Sequence, residues 1–110
     1  MWTERRRHPR VPSRQRCWCE GDDITIYAQI GDLSEGGLSL RTSAPLPPGS
    51  PLRVRLPGAN GPLELRARVA WCAERASGGQ AGLGLCFEGA SRGALEQLRG
   101  MVRDLERARP

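Results

Sequence analysis

Asp32-Leu33-Ser34-Glu35-Gly36-Gly37 is the stretch that decides how this chain is read. Immediately before it, Ile24, Ile26, Ala28 and Ile30 alternate with Thr25, Tyr27 and Gln29, the period of a half-buried strand. Immediately after it, Leu38 and Leu40 alternate with Ser39 and Arg41, so a second strand begins. The six residues therefore predict a turn between two strands. Paired glycines permit positive φ and close backbone approach, and Asp32 and Ser34 can hold such a turn through side-chain hydrogen bonds. Turn-shaping alone would account for the hexapeptide. A second cluster upstream, Arg6-Arg7-His8-Pro9-Arg10, adds concentrated positive charge that a turn does not need.

On the N-terminal side, Arg16 to Glu20 predicts a short strand and Gly21-Asp22-Asp23 the hairpin turn after it. On the C-terminal side, the proline-rich run from Ala44 to Pro51 excludes helix and central strand and must be a connecting loop. Leu52, Val54 and Leu56 then alternate with Arg53 and Arg55, and Pro57 to Pro62 is another turn. The longest alternation places Leu63, Leu65, Ala67, Val69 and Trp71 on one face, which by parity assigns Trp71 to the core. After Ser77-Gly78-Gly79, Leu83, Leu85 and Phe87 alternate with Gly82, Gly84 and Cys86. Ser91 is a candidate N-cap, and Leu95, Leu98, Val102 and Leu105 recur at helical spacing. The pattern predicts an all-β protein, a small six-stranded antiparallel β-barrel closed by one C-terminal α-helix.

A chain of 110 residues accommodates one domain. Residues 1–14 read as a flexible basic N-terminal segment without apolar periodicity, and residues 15–110 as the barrel with its helix. The net charge is +5, with 17 basic residues that are all arginine, six of them within residues 1–16. Base composition of the gene accounts for such a bias as readily as function does. The functional alternative is that arginine offers a planar fork to phosphate, carboxylate or a guanine edge, which lysine does not. No apolar run approaches the roughly 18 residues of a membrane span, and the N-terminus has no apolar signal region. A cytoplasmic protein with no membrane insertion is the expectation. Cys17, Cys19, Cys72 and Cys86 lack C-x-x-C spacing, and with a single histidine they predict reduced structural thiols and no metal.

Arg6-Arg7-x-x-Arg10, followed by Asp32-x-Ser34-x-x-Gly37 between the second and third barrel strands, resembles the PilZ family from about Glu4 to the helix. The segments Val69-Ala70-Trp71 and Gly82 to Phe87 are similar to that family's later strands. The resemblance implies a receptor for the bacterial second messenger cyclic di-GMP, bound by Arg6, Arg7, Arg10, Asp32, Ser34 and Gly37. The residue chemistry agrees. An arginine fork can bond bidentately to phosphate or to guanine O6 and N7, and a carboxylate can accept from guanine N–H groups. Ser34 would add a donor or acceptor, and Gly37 would let the backbone approach the ligand. Ligand binding would order residues 4–12 over the barrel.

Trp71 joins the candidate ligand residues as an aromatic whose position resembles one that lies against a guanine in some family members. His8 and Arg41 are further contacts to consider, each better explained as a solvated side chain. No catalytic constellation is present, since there is one histidine, no lysine and no Walker-type loop. The expectation is a receptor or adaptor that is not an enzyme, needs no cofactor beyond the ligand, and passes binding to a protein partner. A PilZ-fold interaction module without nucleotide binding is the alternative. A barrel for single-stranded nucleic acid is a third reading, disfavoured because the chain has only five aromatics.

Overall fold

The alternation in each predicted strand becomes an inside and an outside in the computed structural model, which describes residues 10–42, 46–58, 61–73 and 81–108. The strands are β1 (Val11–Pro12), β2 (Arg16–Glu20), β3 (Thr25–Leu33), β4 (Gly37–Arg41), β5 (Pro51–Leu56), β6 (Leu63–Ala73) and β7 (Gly82–Glu88). The sheet runs β3-β2-β5-β6-β7-β4, and β4 pairs again with β3 to close a six-stranded antiparallel barrel. The predicted barrel is therefore present, with β1 as one strand more. β1 pairs with Asp32 and Leu33 on the edge of β3 opposite β4, in line with β2.

That extra strand revises the N-terminal segment expected over residues 1–14. From Val11 onward it is part of the fold, because Val11 is buried and the Ser13 amide donates to Gly31 O at 3.1 Å. The hexapeptide is also less of a loop than predicted. β3 continues through Asp32 and Leu33, β4 starts at Gly37, and only Ser34 to Gly36 lie outside the strands.

The barrel interior is aliphatic. Ile30, Leu33, Leu38, Leu40, Val54, Leu56, Leu83 and Leu85 are essentially without solvent contact. Full burial of such a side chain stabilises by about 1.5–3 kcal/mol, so the hydrophobic pairs flanking the turn fix its register. Cys17 and Cys19 share the inward face of β2 with their Sγ atoms 3.9 Å apart. The hydrogen bond between them and burial both push the Cys19 thiol pKa up, so it stays a neutral core group.

Helix α1 (Arg92–Arg107) begins where predicted, with the Ser91 hydroxyl accepting from the Ala94 amide at 3.1 Å. Leu98 and Val102 are buried, and the helix lies against β1 and β6. No helix among the described residues is long and apolar enough to cross a membrane.

Candidate functional site

The hexapeptide divides between two environments. Ser34 is buried, and its hydroxyl accepts from the Gly36 and Gly37 amides at 3.1 and 3.2 Å while lying 3.3 Å from Gly37 O. The Ser34 amide donates to Gly37 O at 2.9 Å, and Gly36 O accepts from the Phe87 amide at 2.9 Å. Every polar contact of the serine thus lies within the turn. A Cβ on Gly37 would sit 2.0 Å from Leu85 O, so the close approach at this glycine is to the backbone of β7. Its φ is not in the left-handed region, which among the described glycines only Gly49, Gly61 and Gly89 occupy. Glu35 at the tip accepts from Arg99 Nε of α1 at 2.5 Å.

Asp32 faces the other way. The β3–β4 register slips between Ile30 and Asp32, leaving Gly31 as the additional residue of a bulge. A Cβ at Gly31 would meet Ser39 Oγ at 2.7 Å, and that hydroxyl instead accepts from the Asp32 amide at 3.1 Å. The bulge thereby holds the Asp32 backbone while leaving its carboxylate directed outward. Arg10 Nη1 lies 3.5 Å from Asp32 Oδ1, with the two side chains 20% and 32% exposed. A tight charge-assisted bond would be about 2.7–2.9 Å, so this pair is loose and open to a third party.

Beyond Asp32, a surface cleft of about 330 Å³ is lined by Gly31, Asp32, Ser39, Arg41, Trp71 and Gly82, among others. Trp71 reaches it through a second bulge. Val69 pairs with Leu85 but Trp71 pairs with Gly84, so Ala70 is the additional residue. The extra residue reverses the parity, and Trp71 is 40% exposed on the outer face instead of in the core as its alternation predicted. Its indole lies over Gly84, where a Cβ would be 2.0 Å from Nε1, and close to Gly82. Gly84 leaves the space that the ring fills, and Gly82 lies in contact distance beside it. The Arg41 side chain, across the cleft, has no hydrogen bond or ion pair among the described residues.

The cleft offers a flat aromatic wall, a carboxylate that accepts from N–H donors, and a guanidinium for an anion or a base edge. Asp32 and Trp71 come together as the sequence named them, with Arg10 beside the carboxylate. Ser34 and Gly37 line no part of it. Arg6, Arg7 and His8 lie outside the described residues. Ser39 was not singled out in the sequence, and Arg41 was weighed there as a solvated arginine. The signal for both was their place in the strand directly after the glycines. Among the described residues, no group of three or more His, Cys, Asp or Glu could hold a metal ion.

The PilZ domain family matches residues 4–104. The chain belongs to the PilZ domain family. Its fold recurs in solved PilZ structures. The PilZ domain of YcgR from Escherichia coli with c-di-GMP is 24% identical, with a TM-score of 0.75 over 94% of this chain and 93% of that one. The longer YcgR from Escherichia coli in complex with c-di-GMP is 26% identical at a TM-score of 0.75, and this PilZ chain aligns with 47% of its length. The Bacillus subtilis inhibitor of motility, MotI/DgrA, is 18% identical with a TM-score of 0.78, over 97% of this chain and 54% of that one. Among curated proteins, none matches the sequence.

Proposed function

We propose that this PilZ domain binds cyclic di-GMP (c-di-GMP) in the Asp32–Trp71 cleft and works as a receptor that passes its ligand state to a protein partner. The observation that carries the reading is the convergence of an exposed indole, the Asp32 carboxylate and the unpaired Arg41 in one cleft beside Arg10. The c-di-GMP in the solved YcgR structures supports it.

Each group has a distinct role. Trp71 stacks on a guanine, and Asp32 accepts from the N–H donors of that base. Arg10 leaves its loose contact with Asp32 for a phosphate or for guanine O6 and N7, joined by Arg6 and Arg7 of the same motif. Ser34 and Gly37 act at one remove, by fixing the turn that places Asp32. Nothing in this reading requires catalysis or a metal. The protein acts by changing shape and charge where the ligand lands, in the bacterial cytoplasm.

Calorimetric titration with cyclic di-GMP, cyclic di-AMP and an oligonucleotide at two salt concentrations tests it. Cyclic di-GMP should bind far better than cyclic di-AMP, because adenine has no O6 acceptor and presents an N6 donor to the arginines. Equal affinity for the two would remove guanine recognition. Binding of the oligonucleotide alone, with a steep salt dependence, would replace the reading with a nucleic-acid barrel.

A further inference from the structure

Every described tryptophan and the tyrosine lie on the outside of the barrel, and only Trp71 belongs to the cleft just described. Trp18 and Tyr27 are 46% and 52% exposed, on adjacent strands of the outer face. They hold each other with ring centroids 4.4 Å apart, and the Arg16 guanidinium lies 5.7 Å from the Tyr27 centroid. Beside Trp18 is a cleft of about 280 Å³ whose far wall is Arg55, Leu56, Pro57 and Pro62. A preformed aromatic platform beside an open apolar slot has the make-up of an interaction hot spot.

A separate observation lies next to it on the same face. Arg53 of β5 stands directly opposite Arg66 of β6. Like charges facing across a sheet are destabilising, and acidic residues stand close enough to relieve them. Yet Glu88, the cross-strand partner of Arg66, bonds Arg68 at 2.8 Å, and Glu64 bonds Arg55 at 2.8 Å. Among the described residues, the side chains of Arg53 and Arg66 have no hydrogen bond or ion pair. Glu20 stands opposite Arg53 on the other side but forms no ion pair with it, so two guanidinium groups side by side, neither engaged by an acid, fit a carboxylate supplied from outside.

We propose that the outer face of β2, β5 and β6 docks an extended segment of a partner protein, with an apolar anchor beside Trp18 and a carboxylate on the Arg53–Arg66 pair. From Arg55, which stands opposite Trp18, to Arg53 is two residues along β5, about 7 Å at strand rise, so anchor and acid are two residues apart on one face of the extended partner segment. Glu20, Glu64 and Glu88 interleave with the arginines on this face and would repel a continuous phosphate backbone. A single carboxylate bonded by both guanidinium groups meets far less of this repulsion than a run of phosphates, which favours protein over nucleic acid. The inference rests on the part of the proposed function that requires a protein partner, and not on which nucleotide binds.

The test is an NMR titration of the ¹⁵N-labelled full chain with the peptide acetyl-Ser-Pro-Phe-Ser-Glu-Ser-Ser-amide at millimolar concentration. Runs with and without cyclic di-GMP are compared. The Trp18 indole N–H and the Arg53 and Arg66 Nε–H signals should move together. Affinity should fall about tenfold in Trp18→Ser and in Arg66→Gln, and with a peptide whose Glu is replaced by Gln. Circular dichroism confirms that both variants fold. Absence of these shifts, or shifts confined to the Asp32–Trp71 cleft, overturns the proposal. So does a stronger response of the same signals to oligo(dT), or their dependence on protein concentration without peptide, which would make the occupant a second copy. If cyclic di-GMP binds while the peptide fails, only the docking surface falls. If the peptide binds while cyclic di-GMP fails, the nucleotide reading falls instead.

Discussion

The turn at Ser34–Gly37 and the cleft at Asp32–Trp71 are neighbours drawn partly from one six-residue motif, and they differ in what their polar groups have left to offer. In the turn, the Ser34 hydroxyl is occupied by backbone of the same turn, and Gly37 is pressed against β7. In the cleft, the Arg10–Asp32 pair is stretched to 3.5 Å and Arg41 has no partner among the described residues. A closed hydrogen-bond set gives rigidity and little capacity to bind. An open set gives binding capacity and little stability. The motif joins the two so that the rigid half positions the open half.

Gly37→Val should break the comparison most severely. The added Cβ has no room 2.0 Å from Leu85 O, so β4 and β7 must part and the barrel closure goes with them. A thermal melt should show a large fall in midpoint or no cooperative transition, and binding should vanish with the fold. A variant that melts like the wild type would mean that the glycine is not packed as described.

Asp32→Ala acts on the other half. Its carboxylate is 32% exposed and loosely paired, so the apo melting midpoint should stay close to wild type while binding of cyclic di-GMP falls below detection. Asp32→Asn keeps an acceptor oxygen and should retain moderate affinity. Wild-type affinity in Asp32→Ala would place the ligand elsewhere.

Smaller losses sharpen the division of labour within the cleft. Arg10→Ala should lose a charge-assisted contact worth about 1.5–3 kcal/mol, weakening binding by about ten- to a hundredfold. Trp71→Ala should lose about 1–3 kcal/mol of base stacking. Calorimetry measures both, and a melt that barely moves in Arg10→Ala separates recognition from scaffolding.

The smallest effect belongs to Arg99→Ala. Its ion pair with Glu35 joins α1 to the tip of the turn, but the arginine is 55% exposed, and such pairs contribute about 0–1 kcal/mol. The melting midpoint should fall by no more than about 4–5 °C. A drop comparable to that of Gly37→Val would show that the helix, and not the turn's own hydrogen bonds, holds the motif.

Alternation and turn chemistry were enough to read the barrel strands and the helix start, because inward residues such as Ile26, Ala28 and Ile30 recur with the period of two that burial imposes. The same reasoning placed Trp71 inside, because a single additional residue at Ala70 reverses the faces and leaves no mark in the alternation. β1 was also missed, since two residues followed by Ser13-Arg14-Gln15 carry no periodicity to detect. Within the candidate site, Asp32 and Arg10 were legible because charged residues in a spaced motif stand out. Ser39 and Gly82 were not, because small residues in strands look like spacers until the strand beside them is known.

By itself, then, the sequence determined the elements, the aliphatic core and the family, all of which follow from local period, composition and motif spacing. Only the tertiary structure decided which motif residues face outward and which are sealed. It separated Asp32 from Ser34 and Gly37, moved Trp71 to the surface, and set Arg53 against Arg66. The physical reason is the same in each case. Register and bulges are properties of a pair of strands, fixed by hydrogen bonding and packing across the sheet, and no single strand carries them.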